Sequence, residues 1–193
     1  MLAIAFEDAS PAGYMLYSLE AGTFKVQELR TFSHEAQTAL LRYAAGHLSD
    51  AANFEWLAEP GNLAYLGFAG STYSGSLKPF MMARCINIRK ALELLPVPRN
   101  VSGEAVLLIT DKFLPLNNGL LKITAQNGAL TQASTIENEE ITMDSAAFTQ
   151  LYFGTFSFEE LVRAGKIKVH NPRKSGFLQA LFTKCRTYIN EYY

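Results

Sequence analysis

Short extended segments separated by turns open the chain and restrict it to folds built around an antiparallel sheet. Residues 2–6 form a continuous apolar run, and residues 14–19 are again mostly apolar after a stretch rich in Asp, Ser, Pro and Gly. In residues 23–30 apolar side chains alternate with polar ones, which is the pattern of a strand with one buried and one solvated face. The three segments together predict an antiparallel meander.

Helical patterns follow the meander and return towards the C-terminus. Ser33 is a good N-cap residue, and apolar side chains then recur at helical spacing. Asp144 and the capping-box pattern of residues 157–160 predict two further helix starts. Asn127-Gly128, between two extended segments, predicts a β-hairpin. Strands and helices in this order predict the α+β class.

The Gly- and Ser-rich stretch of residues 67–78 is the best linker candidate, and it suggests two domains, at 1–78 and 79–193. The second domain is predicted to begin with a strand at residues 80–86. We expect it to end with a helix at residues 177–186.

Charge and hydropathy exclude several classes of protein. The 17 Lys and Arg residues against 18 Asp and Glu residues are evenly spread, so we expect no nucleic-acid partner. The longest apolar run, residues 1–6, is far below the roughly 20 residues of a spanning helix, so we expect no membrane span. Because no secretory leader is visible, we expect a cytoplasmic protein. Cys85 and Cys185 lack the spacing of a metal site or a disulfide framework and are expected to be free thiols.

Two features suggest that the chain works with more polypeptide. Its charged fraction of 18% is below the ~25% of ordinary domains, while aromatic residues reach 12%, which suggests surface reserved for a partner. The strand at residues 2–6 begins without a cap or turn before it, which suggests that the sequence starts in the middle of a sheet. We therefore expect a missing N-terminal portion, and a homo-oligomer.

The inventory of catalytic residues is thin. The histidines have no metal-site spacing and are expected to be structural; they are His34, His47 and His170. An acidic cluster is expected to be a solvated loop before a helix, because its spacing is not that of a calcium loop; it comprises Glu137, Glu139, Glu140 and Asp144. Residues 61–75 contain glycines but no phosphate-loop motif. The sequence thus predicts neither a metal site nor a cofactor site in this chain.

The C-terminus carries three tyrosines within six positions, where chain ends usually fray and are polar; they are Tyr188, Tyr192 and Tyr193. If this end docks in a crevice, desolvation would raise the pKa of the Tyr193 carboxylate above its usual range of about 3.3 to 3.7, and it could accept a proton. The alternative is an aromatic tail that closes the core of its own domain.

The second half of the chain carries a set of motifs that resembles a known family. They are Pro-Phe-Met-Met-Ala-Arg at 79–84, the helix of 90–95, Met-Asp and Leu-Tyr-Phe-Gly within 141–154, Ser-Phe-Glu-Glu-Leu at 157–161 and Ala-Gly at 164–165. They resemble the C-terminal domain of the Eis-like (enhanced intracellular survival) acetyltransferases, which has a sterol-carrier-protein-like fold. Residues 2–56 are similar to the later strands and helix of the central GNAT-like domain of that family.

The resemblance implies a fold in which a partial GNAT-like antiparallel sheet with a helix precedes a sterol-carrier-protein-like α+β domain. It also implies a parent enzyme that moves acetyl groups from acetyl-CoA to amines, such as those of aminoglycosides or lysine side chains. The acetyl-CoA site and the general-acid tyrosine of that family lie in its first domain, and nothing in this sequence matches them. The family's general base is its terminal carboxylate, whose counterpart here is Tyr193. The chain alone is therefore expected to be inactive.

Two other classes of function remain open. A stand-alone module of the sterol-carrier type would hold a lipid or another hydrophobic ligand, and would need an apolar cavity in the second domain. A structural oligomerisation domain would need a large apolar face without a cavity.

Overall fold

A computed structural model describes residues 1–47, 49, 51–59, 61–62, 74–76, 82–185, 187 and 189. The chain divides into two units, one made of residues 1–72 and 188–193 and the other of residues 73–187. Most of the predicted linker, residues 67–78, lies outside the described residues.

The first unit is a four-stranded sheet covered by one helix. The predicted meander is confirmed as β1 (Leu2–Glu7), β2 (Ser10–Glu20) and β3 (Thr23–Thr31), which pair antiparallel in that order. Helix α1 (His34–Ala45) then leads to β4 (Asn53–Trp56), which pairs parallel with β3 at the sheet edge.

The first turn is tighter than the sequence predicts. Asp8 and Ala9 have φ angles of 46° and 66°, and this left-handed pair reverses the chain within two residues. Ser10 therefore pairs with Glu7, and the Pro and Gly of residues 11–13 lie in β2 rather than in the turn. The prediction was wrong here because Asp and Ala stand where Gly or Asn would signal such a turn.

Helix α1 packs on one face of this sheet. Its predicted N-cap is confirmed, since the Ser33 hydroxyl accepts the backbone N–H of Ala36 at 3.0 Å. Side chains that alternate along the strands meet the helix and form one buried cluster: Ala5, Ala12, Met15, Tyr17, Phe24 and Val26 from the strands, Ala36, Leu40 and Ala44 from α1, and Ala51.

The second unit is a five-stranded mixed sheet packed with short helices. Its strands are β5 (Gly103–Thr110), β6 (Gly119–Gln126), β7 (Ala129–Ser134), β8 (Ile141–Asp144) and β9 (Ile167–Val169). They lie in the order β7-β6-β5-β8-β9, and only the pair of β5 with β8 is parallel. The helices are α2 (Ile88–Glu93), α3 (Ser145–Tyr152), α4 (Phe158–Arg163) and α5 (Ser175–Leu181).

The local signals of this unit are largely confirmed. Asn127 and Gly128, with φ angles of 54° and 81°, make the predicted two-residue hairpin between β6 and β7. Asp144 caps α3, and both hydrogen bonds of the capping box between Ser157 and Glu160 are present in α4. These features depend on neighbours in sequence, so a short pattern is enough to predict them.

Two predictions for this unit were wrong, and one strand was missed. Residues 82–87 contain no strand, although residues 80–86 were predicted to form one; residues 80 and 81 lie outside the described part. The last helix ends at Leu181 rather than 186, and β9 was missed. β9 has only three residues and forms by pairing with β8, which is distant in sequence, so no local pattern predicts it.

The interior of the second unit is one apolar cluster that combines sheet and helices. Its most deeply buried large side chains are Ile88, Leu92, Leu107, Ile109, Ile123, Ile141, Phe148, Leu151, Phe158 and Leu178. Among the described residues, no helix has the length and apolar character needed to cross a bilayer.

Replacing Gly128 with Ala should destabilise the second unit by about 1 kcal/mol, since a side chain at positive φ is strained. A Cβ there would also lie 3.2 Å from Cγ of Arg99. The matched control is Gly176→Ala, in α5, where an added Cβ has no neighbour within 4 Å and Ala favours the helix. Urea unfolding measures both; equal free energies of unfolding for the two variants would contradict the left-handed hairpin.

Candidate functional site

A buried carboxylate after β5 is the most elaborate polar arrangement in the second unit. The side chain of Asp111 is 0% exposed. It accepts the backbone N–H groups of Phe113 at 2.9 Å and Leu114 at 3.1 Å, and the side-chain amide of Asn117 at 2.9 Å. The guanidinium of Arg84 completes the arrangement as an ion pair. Every oxygen of this carboxylate therefore has a donor.

The surroundings of Asp111 favour its charged form. Burial alone would raise the pKa of the carboxyl group, but the hydrogen bonds from Asn117, Phe113, Leu114 and Arg84 outweigh it and hold the pKa well below its ordinary value of 3.8. A group held ionised in this way is a poor proton donor or acceptor at neutral pH. Its role is to fix the chain around it.

The fixed segment is residues 84–88. Asn117 accepts the backbone N–H of Ile88 at 3.0 Å and donates to the carbonyl of Ile86 at 3.1 Å, while it also holds Asp111. Arg84 lies over the ring of Phe113, 5.2 Å from its centroid. The sequence does not predict this network, because Arg84 and Asp111 stand far apart and neither belongs to a known motif.

The histidines lie where a structural role was expected. His170 Nε2 lies 3.0 Å from the Thr142 hydroxyl, and His34 Nε2 lies 3.5 Å from that of Thr38. His47 packs against the rings of Tyr17, Phe24 and Tyr43.

Two further titratable side chains are held in protonated form. A hydrogen bond to Tyr43, together with burial, raises the pKa of the Tyr17 phenol, and the two hydroxyl oxygens are 2.6 Å apart. Burial raises the pKa of the Cys85 thiol, and this outweighs a hydrogen bond with the Thr149 side chain, which lowers the pKa. Neither group is poised to act as a nucleophile.

The acidic cluster is divided among separate structural contacts. Glu137 forms an ion pair with Lys122 at 3.0 Å, and Glu140 accepts the backbone N–H of Val106 at 3.1 Å. Asp144 is the N-cap of α3. Within the part of the chain that the structure describes, no three His, Cys, Asp or Glu side chains are grouped to hold a metal ion.

The N-termini of the longer helices are the places where the pyrophosphate of a coenzyme could bind, because phosphates accept hydrogen bonds from free backbone N–H groups there. At α1 the Ser33 hydroxyl takes the N–H of Ala36 and donates to the carboxylate of Glu7. At α3 the carboxylate of Asp144 takes the N–H of Ala147 at 2.7 Å. Both N-termini thus hold a carboxylate of the chain itself, which repels phosphate, so the described residues at these positions do not fit the group.

The described C-terminal residues form a strap across the end of α3, defined as residues 183–185 and 187. The N–H of Cys185 donates to the carbonyl of Gly154 at 3.0 Å, and the hydroxyl of Thr187 donates to the carbonyl of Phe153 at 2.7 Å. Lys184 forms an ion pair with Glu160 at 2.7 Å. The strap continues directly from α5, whose following residue Phe182 is buried in the core.

The strap lies unusually close to the backbone of Gly154. Gly154 has a φ of +65°, and a Cβ there would lie 2.7 Å from the Cys185 nitrogen, so only glycine allows this close approach. The Lys184 ammonium and the capping hydrogen bonds of Ser157 lower the pKa of Glu160 to about 2. Tyr193, the predicted catalytic residue, lies outside the described residues.

Replacing Asp111 with Asn should destabilise the protein at pH 7, because Arg84 loses its charged partner. The pKa of Asp111 is lower in the folded protein than in the unfolded chain. The stabilisation by its charged form is therefore fully present above about pH 4 and is lost as the pH falls towards the folded-state pKa. The difference in urea midpoint between wild type and variant should therefore shrink between pH 7 and pH 3. Glu139→Gln, at an exposed position, is the control; a gap for Asp111→Asn that stays constant with pH would contradict the network.

Comparisons with known families give two matches along the chain. Residues 88–190 match the sterol carrier protein domain, and residues 1–85 match an acetyltransferase (GNAT) domain. No curated protein sequence matches significantly.

Solved structures with the same fold come from several bacteria. A probable N-acyltransferase of unknown function from Enterococcus faecalis V583 has a TM-score of 0.83 at 25% identity, over 100% of this chain and 50% of that one. A GCN5-related N-acetyltransferase from Anabaena variabilis has a TM-score of 0.76 at 18% identity, over 100% and 50%. Eis1 from Mycobacterium abscessus has a TM-score of 0.70 at 20% identity, over 94% and 48%.

The chain thus spans about half the length of these structures. The sterol carrier match covers more than half of the chain and lies mostly within the second unit, while the acetyltransferase match covers the first unit and extends into the start of the second. The chain therefore belongs to the sterol carrier protein domain family, and in it that domain follows a GNAT acetyltransferase domain.

Proposed function

We propose that this chain is the C-terminal portion of a GNAT-type N-acetyltransferase of the Eis-like kind, which transfers acetyl groups from acetyl-CoA to an amine substrate. In this proposal it shapes the substrate cleft and supplies the terminal carboxylate of Tyr193, while a preceding portion binds acetyl-CoA. One observation supports it above all: a GNAT domain is followed by a sterol carrier domain in a chain half as long as its solved relatives.

The proposal extends to the organisation of the whole enzyme. The partial GNAT domain would comprise residues 1–78 and the sterol-carrier-like domain residues 79–193. Its partners would be the N-terminal acetyltransferase portion, an amine such as an aminoglycoside or a lysine side chain, and further copies of itself in a cytoplasmic homo-oligomer.

The helix N-termini support a division of labour between the two halves. The carboxylates of Glu7 and Asp144 lie at the N-termini of α1 and α3, where a pyrophosphate would otherwise accept backbone hydrogen bonds. Acetyl-CoA would supply the activated acetyl group, and the residues that hold it would belong to the preceding portion.

The strap supports the role of the terminal carboxylate. An amine is protonated at neutral pH and must lose a proton before it attacks a carbonyl carbon, so a nearby base accelerates the reaction. A carboxylate is effective only at hydrogen-bonding distance, which requires a fixed starting point for the last residues. The contacts of Cys185 and Thr187 with Phe153 and Gly154 provide that fixed point.

A second candidate function is binding of a lipid or another hydrophobic ligand, which the sterol carrier match favours. The apolar side chains of the second unit, however, pack against one another in a single cluster that includes Phe148, Phe158 and Phe182. Saturable binding of a fluorescent fatty acid that is lost on Phe148→Ala would favour this candidate over the acetyltransferase.

Appending two residues after Tyr193 in the full-length enzyme should lower kcat by about tenfold or more, because the carboxylate moves beyond reach of the amine. The acidic limb of the kcat profile against pH should weaken as well. The thermal unfolding midpoint should stay unchanged, which separates a lost base from a lost fold. Unchanged turnover would remove the terminus from the mechanism.

Gly154→Ala should loosen the strap and Gly165→Ala should not. Both glycines have positive φ, 65° and 69°, so both variants carry a backbone strain of roughly 1–2 kcal/mol. Only at Gly154 would the new Cβ collide with the strap, whereas at Gly165 an added Cβ has no neighbour within 4 Å.

The readout is hydrogen exchange of the Cys185 backbone amide, whose N–H donates to the carbonyl of Gly154 at 3.0 Å. Its rate in the native protein should rise at least about fivefold in Gly154→Ala and stay near the wild-type value in Gly165→Ala. Equal rates in the two variants would show that the strap does not depend on Gly154.

A further inference from the structure

One part of the second unit carries positive charge that its own acidic residues do not neutralise. Residues 161–174 contain five Lys and Arg residues and no Asp or Glu, although the two signs of charge nearly balance over the whole chain. Two of the five are paired, Lys174 with Glu140 at 3.5 Å and Arg163 with Glu159 at 4.0 Å. The other three side chains form no ion pair with any described residue; they are Lys166, Lys168 and Arg173.

The lysines among them lie along one face of β9. Ile167 lies in the core, so its neighbours Lys166 and Lys168 point to the opposite, solvated face, and both are exposed. His170 continues the same row, since its Nε2 lies 3.0 Å from the hydroxyl of Thr142, the residue paired with Lys168. These three side chains, here called the β9 row, follow one another at intervals of roughly 7 Å.

The backbone of β9 is open on one side. β9 is the last strand of the sheet and, in the described part of the chain, is hydrogen-bonded to β8 alone. The N–H of His170 donates to the carbonyl of Glu140 at 2.8 Å and so points towards β8. Because backbone groups alternate in direction along a strand, those of Val169 point away from β8. This edge can therefore pair with a further strand.

The side chains beside the edge define which strand fits it. A strand added to β9 places every second side chain on the solvated face, directly beside the β9 row, where Asp or Glu would face the lysines. Its other side chains would lie near Val162 and Val169, which pack against the core but are only partly buried. The strand that fits best therefore alternates acidic residues with apolar ones.

Other occupants fit this edge less well. A second copy would pair β9 with β9 and bring lysines together, which is unfavourable. Single-stranded nucleic acid stacks its bases on aromatic rings, and residues 161–174 contain no Phe, Tyr or Trp. A lipid surface binds large exposed apolar side chains, and these residues present none.

We infer that β9 and the β9 row bind an extended segment of another protein, in which Glu or Asp alternates with apolar residues, and that this segment joins the sheet as a strand beside β9. Backbone hydrogen bonds would supply the contact, and the lysines would select the acidic sequence. The inference goes beyond the proposed function and does not depend on it, because neither acetyl-CoA nor the strap takes part.

The test titrates the protein with a capped, dye-labelled peptide of four Glu-Val repeats and follows fluorescence anisotropy. Low ionic strength is used, because salt screens exposed charges. We expect saturable binding with a Kd below about 1 mM. Lys168→Glu should weaken it at least about fivefold and Lys168→Gln less, since reversal adds repulsion to the lost attraction. Lys90→Glu, at an exposed position of α2, makes the same change of charge and should leave the Kd unchanged.

A second readout separates strand addition from simple charge attraction. Hydrogen exchange of the Val169 amide should slow at least about fivefold when the Glu-Val peptide binds. A peptide of four Glu-Pro repeats has the same charge but no proline N–H to donate, so it should bind more weakly and leave that amide unprotected.

Three results would overturn the inference. The first is no saturable binding of the Glu-Val peptide, or equal weakening by Lys90→Glu and Lys168→Glu, with unchanged thermal unfolding midpoints for both variants. The second is equal binding of the Glu-Pro peptide, or an unprotected Val169 amide, which would mean that no strand is added. The third is Lys168-dependent binding of oligothymidine or of phosphatidylglycerol vesicles that is tighter than binding of the peptide, which would assign the β9 row to nucleic acid or to lipid.

Discussion

A β-sheet presents successive side chains to opposite faces, so each face must be covered or made polar, and this constraint organises both halves of the chain. In the second unit β5 is buried at consecutive positions, Ala105, Val106 and Leu107, which means that both of its faces are covered. In the first unit α1 covers one face only. The other face is charged along β3 and apolar along β1 and β2.

The polar groups of the molecule are mostly occupied in holding its own backbone. Asp111 accepts hydrogen bonds from backbone and side-chain donors. Ser33 and Asp144 are the N-caps of α1 and α3. Glu160 contacts both the N-cap residue Ser157 and Lys184. No buried polar side-chain atom among the described residues is without a hydrogen-bond partner. This use of the charged groups is in keeping with the proposal that the acetyl donor is held elsewhere in the enzyme.

The sequence is informative wherever structure depends on neighbouring residues. Apolar stretches between turns, with period-two alternation in the third, predicted the meander. The helix caps at Ser33, Asp144 and Ser157 were predicted because a cap involves side chains only three positions apart. Features that join distant segments were missed: β9 depends on the edge of β8, and the network of Asp111 depends on Arg84. For the site, the strap was not predicted, because nothing in the sequence of residues 183–185 and 187 shows that two carbonyls after α3 will receive them.

The parallel pairing of β5 with β8 has a consequence for how the second unit folds. The hairpin of β6 and β7 closes through two residues and can form within microseconds, whereas β8 reaches β5 only after both hairpin strands have been made. Closing that larger loop costs chain entropy before any contact of β8 or β9 compensates for it. We therefore expect β8 and β9, and the helices that pack behind them, to join last, so that the rate of this late step governs how long partly folded chains remain open to aggregation during synthesis.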